Sequence, residues 1–78
     1  MDEMYQTNNL SLAGFLLAKN LTLRNTKIED RKVFFLFDAV EDIPVLVDGY
    51  FSNDQVPVLS YWNHIKNLKS LVHQMLGN

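Results

Sequence analysis

The chain has 78 residues, a formal net charge of −2 and no cysteine. At this length it can bury one hydrophobic core, so we expect a single compact domain over residues 1–78. The lack of cysteine excludes disulfides and thiolate metal sites, and the negative charge disfavours a protein whose main task is to bind phosphate backbones. An acidic amino terminus and short apolar runs indicate neither an export signal nor a membrane span, so we expect a cytoplasmic location and no membrane partner.

The first predicted helix begins after two asparagines, which are good amino-terminal caps, and runs from Leu10 to about Lys19. Five apolar residues share one broad face of this helix: Leu10, Leu12, Ala13, Leu16 and Leu17. Phe15 falls on the other side, so we expect it to lie outside the core. Asn20 can adopt the left-handed conformation that ends a helix.

An antiparallel β-hairpin is predicted next. Residues 21–28 partly alternate, residues 29–31 form a polar break, and residues 32–38 give the strongest strand signal in the chain. A short strand from Met4 to Thr7 could widen the sheet. Because a two-stranded hairpin is not stable alone, helices are expected to pack on it.

The second strand of the hairpin is apolar on both faces. Val33, Phe35 and Phe37 point one way, and Phe34 and Leu36 point the other. The strand is therefore either covered on both sides or exposes one face to a partner.

Two helices are predicted in the remainder of the chain. Residues 42–51 fit either a strand or a helix, but Asp42 as a cap and Pro44 in the first turn favour a short helix. A heptad-like stripe over about five turns predicts a long amphipathic helix that ends near Gly77. The stripe, widened by Trp62 and Leu76, consists of Val58, Tyr61, Ile65, Leu68, Val72 and Met75. The predicted fold class is α+β: helix, hairpin, short helix and long carboxy-terminal helix.

Four short motifs follow one another along the chain: TxxLxLAxFLLAK from Thr7 to Lys19, VxFxFD from Val33 to Asp38, YFxN from Tyr50 to Asn53, and LKSL from Leu68 to Leu71. With these motifs, nearly the whole chain resembles a family of short uncharacterised proteins from bacteria and their phages. Family members usually have glycine where this chain has Asn20, which can serve the same capping role. The family is a domain of unknown function, so the resemblance implies a fold and an origin but no catalytic residue.

No catalytic or metal site is predicted. His64 and His73 are nine residues apart, which places them on opposite sides of one helix at about 100° per residue. The serines lack a nucleophile motif with an ordered histidine. Structural roles account for the acidic residues Asp38, Glu41, Asp42 and Asp48. We therefore expect no enzyme, no cofactor and no small-molecule substrate.

A basic cluster on the hairpin suggests one binding function. Arg24, Lys27, Arg31 and Lys32 lie on or near the two strands, where neighbouring phenylalanines could stack on bases. Basic residues at strand edges also prevent aggregation, and phenylalanines within an apolar strand commonly belong to the core. Nucleic-acid binding is therefore the alternative hypothesis.

Apolar surface in excess of what one small core can cover leads to the main hypothesis. The candidate partner-binding residues are Phe15, Phe34, Leu36, Tyr61 and Trp62. We expect a small non-enzymatic interaction module that acts through protein–protein contacts, with a homodimer as one form of that contact. A further alternative, suggested by the phage resemblance, is that the chain inhibits a host protein. Its own acidic block at residues 38–54 would then mimic phosphate.

Overall fold

The structure is a computed structural model and describes residues 4–39 and 42–77. It confirms the predicted α+β class, including the additional amino-terminal strand and the helical form of the segment after residue 42. The elements in chain order are β1 (Met4–Thr7), α1 (Leu10–Ala18), β2 (Leu23–Glu29), β3 (Lys32–Asp38), α2 (Ile43–Phe51) and α3 (Val58–Met75). Within the described ranges, none of the helices has the length and apolar character needed to cross a membrane.

The sheet is antiparallel with the strand order β1-β3-β2, so the apolar strand β3 lies in the centre. Thr7 of β1 lies opposite Phe35, and Ile28 of β2 lies opposite Val33. Asp30 and Arg31 connect β2 to β3, with φ angles of 51° and 65°. Two successive left-handed residues are typical of the tight turns whose twist matches the flanking strands.

The core lies between the sheet and the helices. Val33, Phe35 and Phe37 of β3 are buried and form one cluster with α1 and with Leu68 of α3. Because side chains alternate along a strand, Phe34 and Leu36 point to the opposite face, where both are half-buried. Helices α1 and α3 therefore pack on one face of the sheet, and Phe34 and Leu36 lie on the other.

Helices α1 and α3 approach closely at a glycine. A Cβ atom added to Gly14 would lie 2.5 Å from Cδ1 of Ile65, nearer than real Cβ contacts come. Gly14 is buried, and Ile65 is only 7% exposed. The lack of a side chain at Gly14 thus makes room for the terminal methyl group of Ile65.

The ends of α1 are formed as predicted. The side chain of Asn9 accepts a hydrogen bond from the backbone N–H of Leu12. Asn20, just after the helix, has a φ of 72°. Asp42 occupies the predicted cap position of α2, but its side chain makes no capping hydrogen bond, so this part of the prediction is wrong.

Two predicted core assignments also require correction. Phe15 is only 3% exposed, so the prediction that it lies outside the core is wrong. The helical-wheel argument assumed that α1 packs on one side, whereas α2 covers its second side through Tyr50. Val58, predicted to begin the apolar stripe of α3, is 78% exposed, because the buried stripe begins one turn later, at Tyr61.

Candidate functional site

Ion pairs within the chain engage part of the predicted basic hairpin cluster. Arg24 donates hydrogen bonds from Nε to both carboxylate oxygens of Asp38, each at 2.9 Å. Lys27 Nζ lies 3.1 Å from a carboxylate oxygen of Glu29, and 5.9 Å from the centre of the Phe34 ring. Two of the four predicted nucleic-acid-binding cations therefore already face carboxylates.

Ion pairs also mix the basic and acidic segments of the sequence. Lys19 Nζ lies 3.0 Å from Oδ2 of Asp54. Its hydrogen bond and that of the Gln55 backbone N–H lower the pKa of the Asp54 carboxyl. The hydrogen bond from Arg24 likewise lowers the pKa of Asp38, against a smaller opposing effect of desolvation. The acidic block thus contributes Asp38 and Asp54 to intramolecular pairs.

The other two predicted cations, Arg31 and Lys32, lie at the far end of the hairpin. Arg24 is near the start of β2, so about 17 Å of strand separates it from the turn. The structure therefore does not bring the four residues into one compact cluster.

A cavity of about 490 Å³ opens beside Arg31 and Lys32, where the end of the sheet meets α1 and α3. We call it the basic-rimmed pocket. Its apolar lining consists of Leu10, Val33, Phe35, Val72 and Leu76. Its polar lining consists of Asn8, Arg31, Lys32, Lys69 and His73. Cavities of about 300–1,000 Å³ with an apolar lining and a few polar groups are typical of small-molecule sites.

The charged side chains that line this pocket are all basic. Arg31, Lys32 and Lys69 line it, and the lining contains no aspartate or glutamate. Within residues 4–39 and 42–77, none of these three side chains forms a salt bridge. The amino-terminal end of α1, which has no acidic residue in its first turn, also borders the pocket through Leu10. The pocket is therefore electrostatically suited to an anion.

A second feature is an exposed apolar surface at the start of α3. Val58, Leu59 and Trp62 are 78%, 76% and 52% exposed. At about 100° per residue they lie within roughly 100° of one another around the helix. We call these three residues the apolar end of α3. Exposed Lys66 follows one turn after Trp62 on the same side.

The five predicted partner-binding residues lie in different places. Phe15 is buried, and Tyr61 is half-buried against α1, near Gly14. Phe34 and Leu36 lie on the sheet face that points away from the core. Trp62 belongs to the apolar end of α3. The structure thus divides the predicted residues among two surfaces and the core.

Sequence reasoning missed the pocket. Lys69 and His73 lie on α3, almost forty residues after the turn that contains Arg31. Neither residue forms a motif with the hairpin cations, so the sequence carries no signal that joins them. It also gave no reason to single out Val58 and Leu59 as exposed.

Metal and acid sites receive no support from the geometry. In the parts of the chain that the structure describes, no group of three or more histidine, aspartate or glutamate side chains is arranged to hold a metal ion. Glu41, one of the acids considered from sequence, lies outside the described residues. Asp38 is held by Arg24.

Over residues 4–39 and 42–77, these features define a small α+β protein in which three helices accompany one three-stranded antiparallel sheet. The chain belongs to a family described as a domain of unknown function, DUF5659, which matches residues 2–74. This membership agrees with the resemblance to an uncharacterised family. No curated protein matches the chain. No solved structure matches it either.

Proposed function

We propose that this chain is a non-enzymatic interaction module that binds a protein partner through the apolar end of α3. The observation that carries the proposal is the side-by-side exposure of Val58, Leu59 and Trp62. Exposed apolar residues scattered singly are normal on protein surfaces, but a contiguous group is typical of an interface. Tryptophan is also among the residues that contribute most to binding energy at interfaces.

The charge beside this surface indicates the kind of partner. Lys66 borders the apolar end of α3, and it forms no salt bridge with another described residue. An apolar patch next to a lysine favours a partner surface with an apolar depression and an acidic rim. A second copy of the chain is the homodimeric form of the same proposal.

The nucleic-acid alternative is less favoured by the arrangement of charges. Arg24 and Lys27 are paired with Asp38 and Glu29, so their positive charge is partly neutralised before any phosphate approaches. The net charge of −2 acts in the same direction. The phosphate-mimicry alternative is weakened likewise, since Asp38 and Asp54 already face cations.

The proposal is tested with the full chain and the double variant Leu59→Ser/Trp62→Ser. Both side chains are mainly exposed, so the variant should keep the melting temperature of the original chain within a few degrees. Phe51→Ser is the matched control, since Phe51 is 70% exposed but lies on α2. Light scattering detects a second copy, and quantitative co-purification from the source cells detects another protein.

We expect the same partner to be retained by the original chain and by Phe51→Ser, and to be lost from the double variant. If all three proteins are monomers that co-purify with the same background, the proposal is wrong. Loss of the partner from Phe51→Ser alone would place the interface on α2 instead.

A further inference from the structure

We propose that the basic-rimmed pocket binds a small amphipathic anion, a molecule with an apolar body and a single acidic head such as a carboxylate. This inference is independent of the proposed function, because the residues that line the pocket exclude the apolar end of α3. It adds a small-molecule ligand to a chain whose sequence predicted none.

The apolar part of the lining determines the body of the ligand. Val33 and Phe35 form the floor of the pocket, where the depression meets the buried core of the domain. Leu10 and Val72 extend the apolar lining from the two neighbouring helices. A hydrocarbon chain or ring placed there removes its own apolar surface from water, together with that of the partly exposed Leu10, Val72 and Leu76.

The cations determine the head group. Arg31, Lys32 and Lys69 come from two separated parts of the chain and converge on one opening. The acidic residues nearest to Arg31 in sequence do not line it, and one of these, Glu29, is paired with Lys27. Charge-assisted hydrogen bonds to a carboxylate would compensate three like charges that otherwise repel one another.

The backbone of Arg31 gives a further indication. Its φ of 65° lies in the left-handed region, which glycine adopts freely and which is unfavourable for residues with a Cβ atom. An arginine at this turn position therefore lowers the stability of the hairpin relative to glycine. The fold alone favours glycine at this position. A binding role for the guanidinium would explain why the chain has an arginine there instead.

The test uses decanoate as the probe, below the concentration at which it forms micelles, with the full chain. Isothermal titration gives the dissociation constant, and amide NMR shifts locate the probe. Decanol and decyltrimethylammonium have the same alkyl chain with a neutral and a cationic head. A short peptide of glutamate and leucine represents a protein segment as the alternative occupant.

Three variants separate the pocket from general charge effects. Lys69→Glu reverses a charge on the lining, and Lys66→Glu makes the same change one turn earlier on the same helix, outside the lining. Arg31→Gly removes a guanidinium while easing the backbone of the turn, so we expect this variant to remain folded, and its thermal unfolding is measured beside its binding.

We expect decanoate to bind with the largest shifts at Val33, Phe35 and Val72. Lys69→Glu and Arg31→Gly should each weaken binding about tenfold or more, and Lys66→Glu should change it less than about twofold. The proposal is overturned if decanoate does not bind, if decanol binds as tightly, or if the shifts centre on Trp62. Binding of the acidic peptide without decanoate would assign the pocket to a protein segment. Shifts at the pocket on dilution, without a probe, would assign it to a second copy.

Discussion

The ring of Phe15 lies edge-on against the ring of Tyr50, with 5.5 Å between the centroids and 66° between the planes. Lys19, at the carboxy-terminal cap of α1, lies 5.5 Å from the centre of the same Phe15 ring and also forms an ion pair with Asp54. These contacts join α1 to α2 and to the segment that follows α2. Helix α1 is consequently enclosed by the sheet, by α3 and by α2, which explains why five consecutive residues of this helix are buried.

The Phe15 contact leads to a prediction about stability. Phe15→Ala should lower the free energy of unfolding by about 3–5 kcal/mol, because it leaves a cavity between α1 and α2. Phe51→Ala removes the same ring from a position that is 70% exposed, and it should change stability by less than about 1 kcal/mol. Urea unfolding followed by circular dichroism measures both values. Equal effects of the two variants would contradict the placement of Phe15 in the core.

The close approach of α1 to α3 predicts that Gly14 does not tolerate a larger residue. Gly14→Val should destabilise the protein by about 1–3 kcal/mol, since the new side chain would overlap Ile65. Ser11→Val introduces the same residue at an exposed position of the same helix and serves as the control. Thermal unfolding of both variants gives the comparison. A Gly14→Val protein as stable as the control would show that Ile65 moves aside without cost.

The Arg24–Asp38 ion pair predicts a pH dependence. The pKa of Asp38 is lowered in the folded protein, so the unfolded chain binds this proton first as the pH falls. The stabilisation should therefore be fully present above about pH 4, the ordinary pKa of aspartate, and should disappear as the pH falls through the lower folded value. The difference in melting temperature between the original chain and Asp38→Asn should therefore become smaller as the pH falls below about 4. A double variant with Arg24→Gln should add little to either single change, and full additivity would show that the pair does not interact in solution.

The left-handed backbone of Arg31 predicts that Arg31→Gly raises the stability of the protein while it weakens the binding of decanoate. Arg31→Gly should raise the free energy of unfolding by about 1 kcal/mol. Lys32→Gly, at the adjacent strand position, should lower it, because glycine weakens a strand. Thermal unfolding distinguishes these directions. If Arg31→Gly instead destabilises the protein, the arginine side chain itself stabilises the fold. The left-handed backbone would then no longer indicate a binding role for this side chain.

The elements of the fold could be predicted because each has a local cause. Alternation marks β3, the Asn9 cap marks the start of α1, and the spacing of Ile65 and Leu68 marks α3. Phe15 could not be placed in this way, since its burial depends on α2, which packs from a second direction. The pocket depends on the meeting of Arg31 with Lys69, and no local pattern relates two side chains that only the tertiary fold brings together. The exposure of Trp62 could not be predicted for the same reason. An apolar stripe on a helix does not show which of its turns the rest of the fold covers.

Site-specific photo-crosslinking in cells tests the proposed interface most directly. A photoreactive amino acid replaces Leu59 in the apolar end of α3, and a second protein carries it at Asn67, which is exposed about two turns further along the same helix, outside the apolar end. We predict a specific adduct from position 59, with another protein or with a second copy, that is absent from position 67 and disappears when Trp62→Ser is added. Equal adducts at both positions, or no adduct at position 59, would contradict the account.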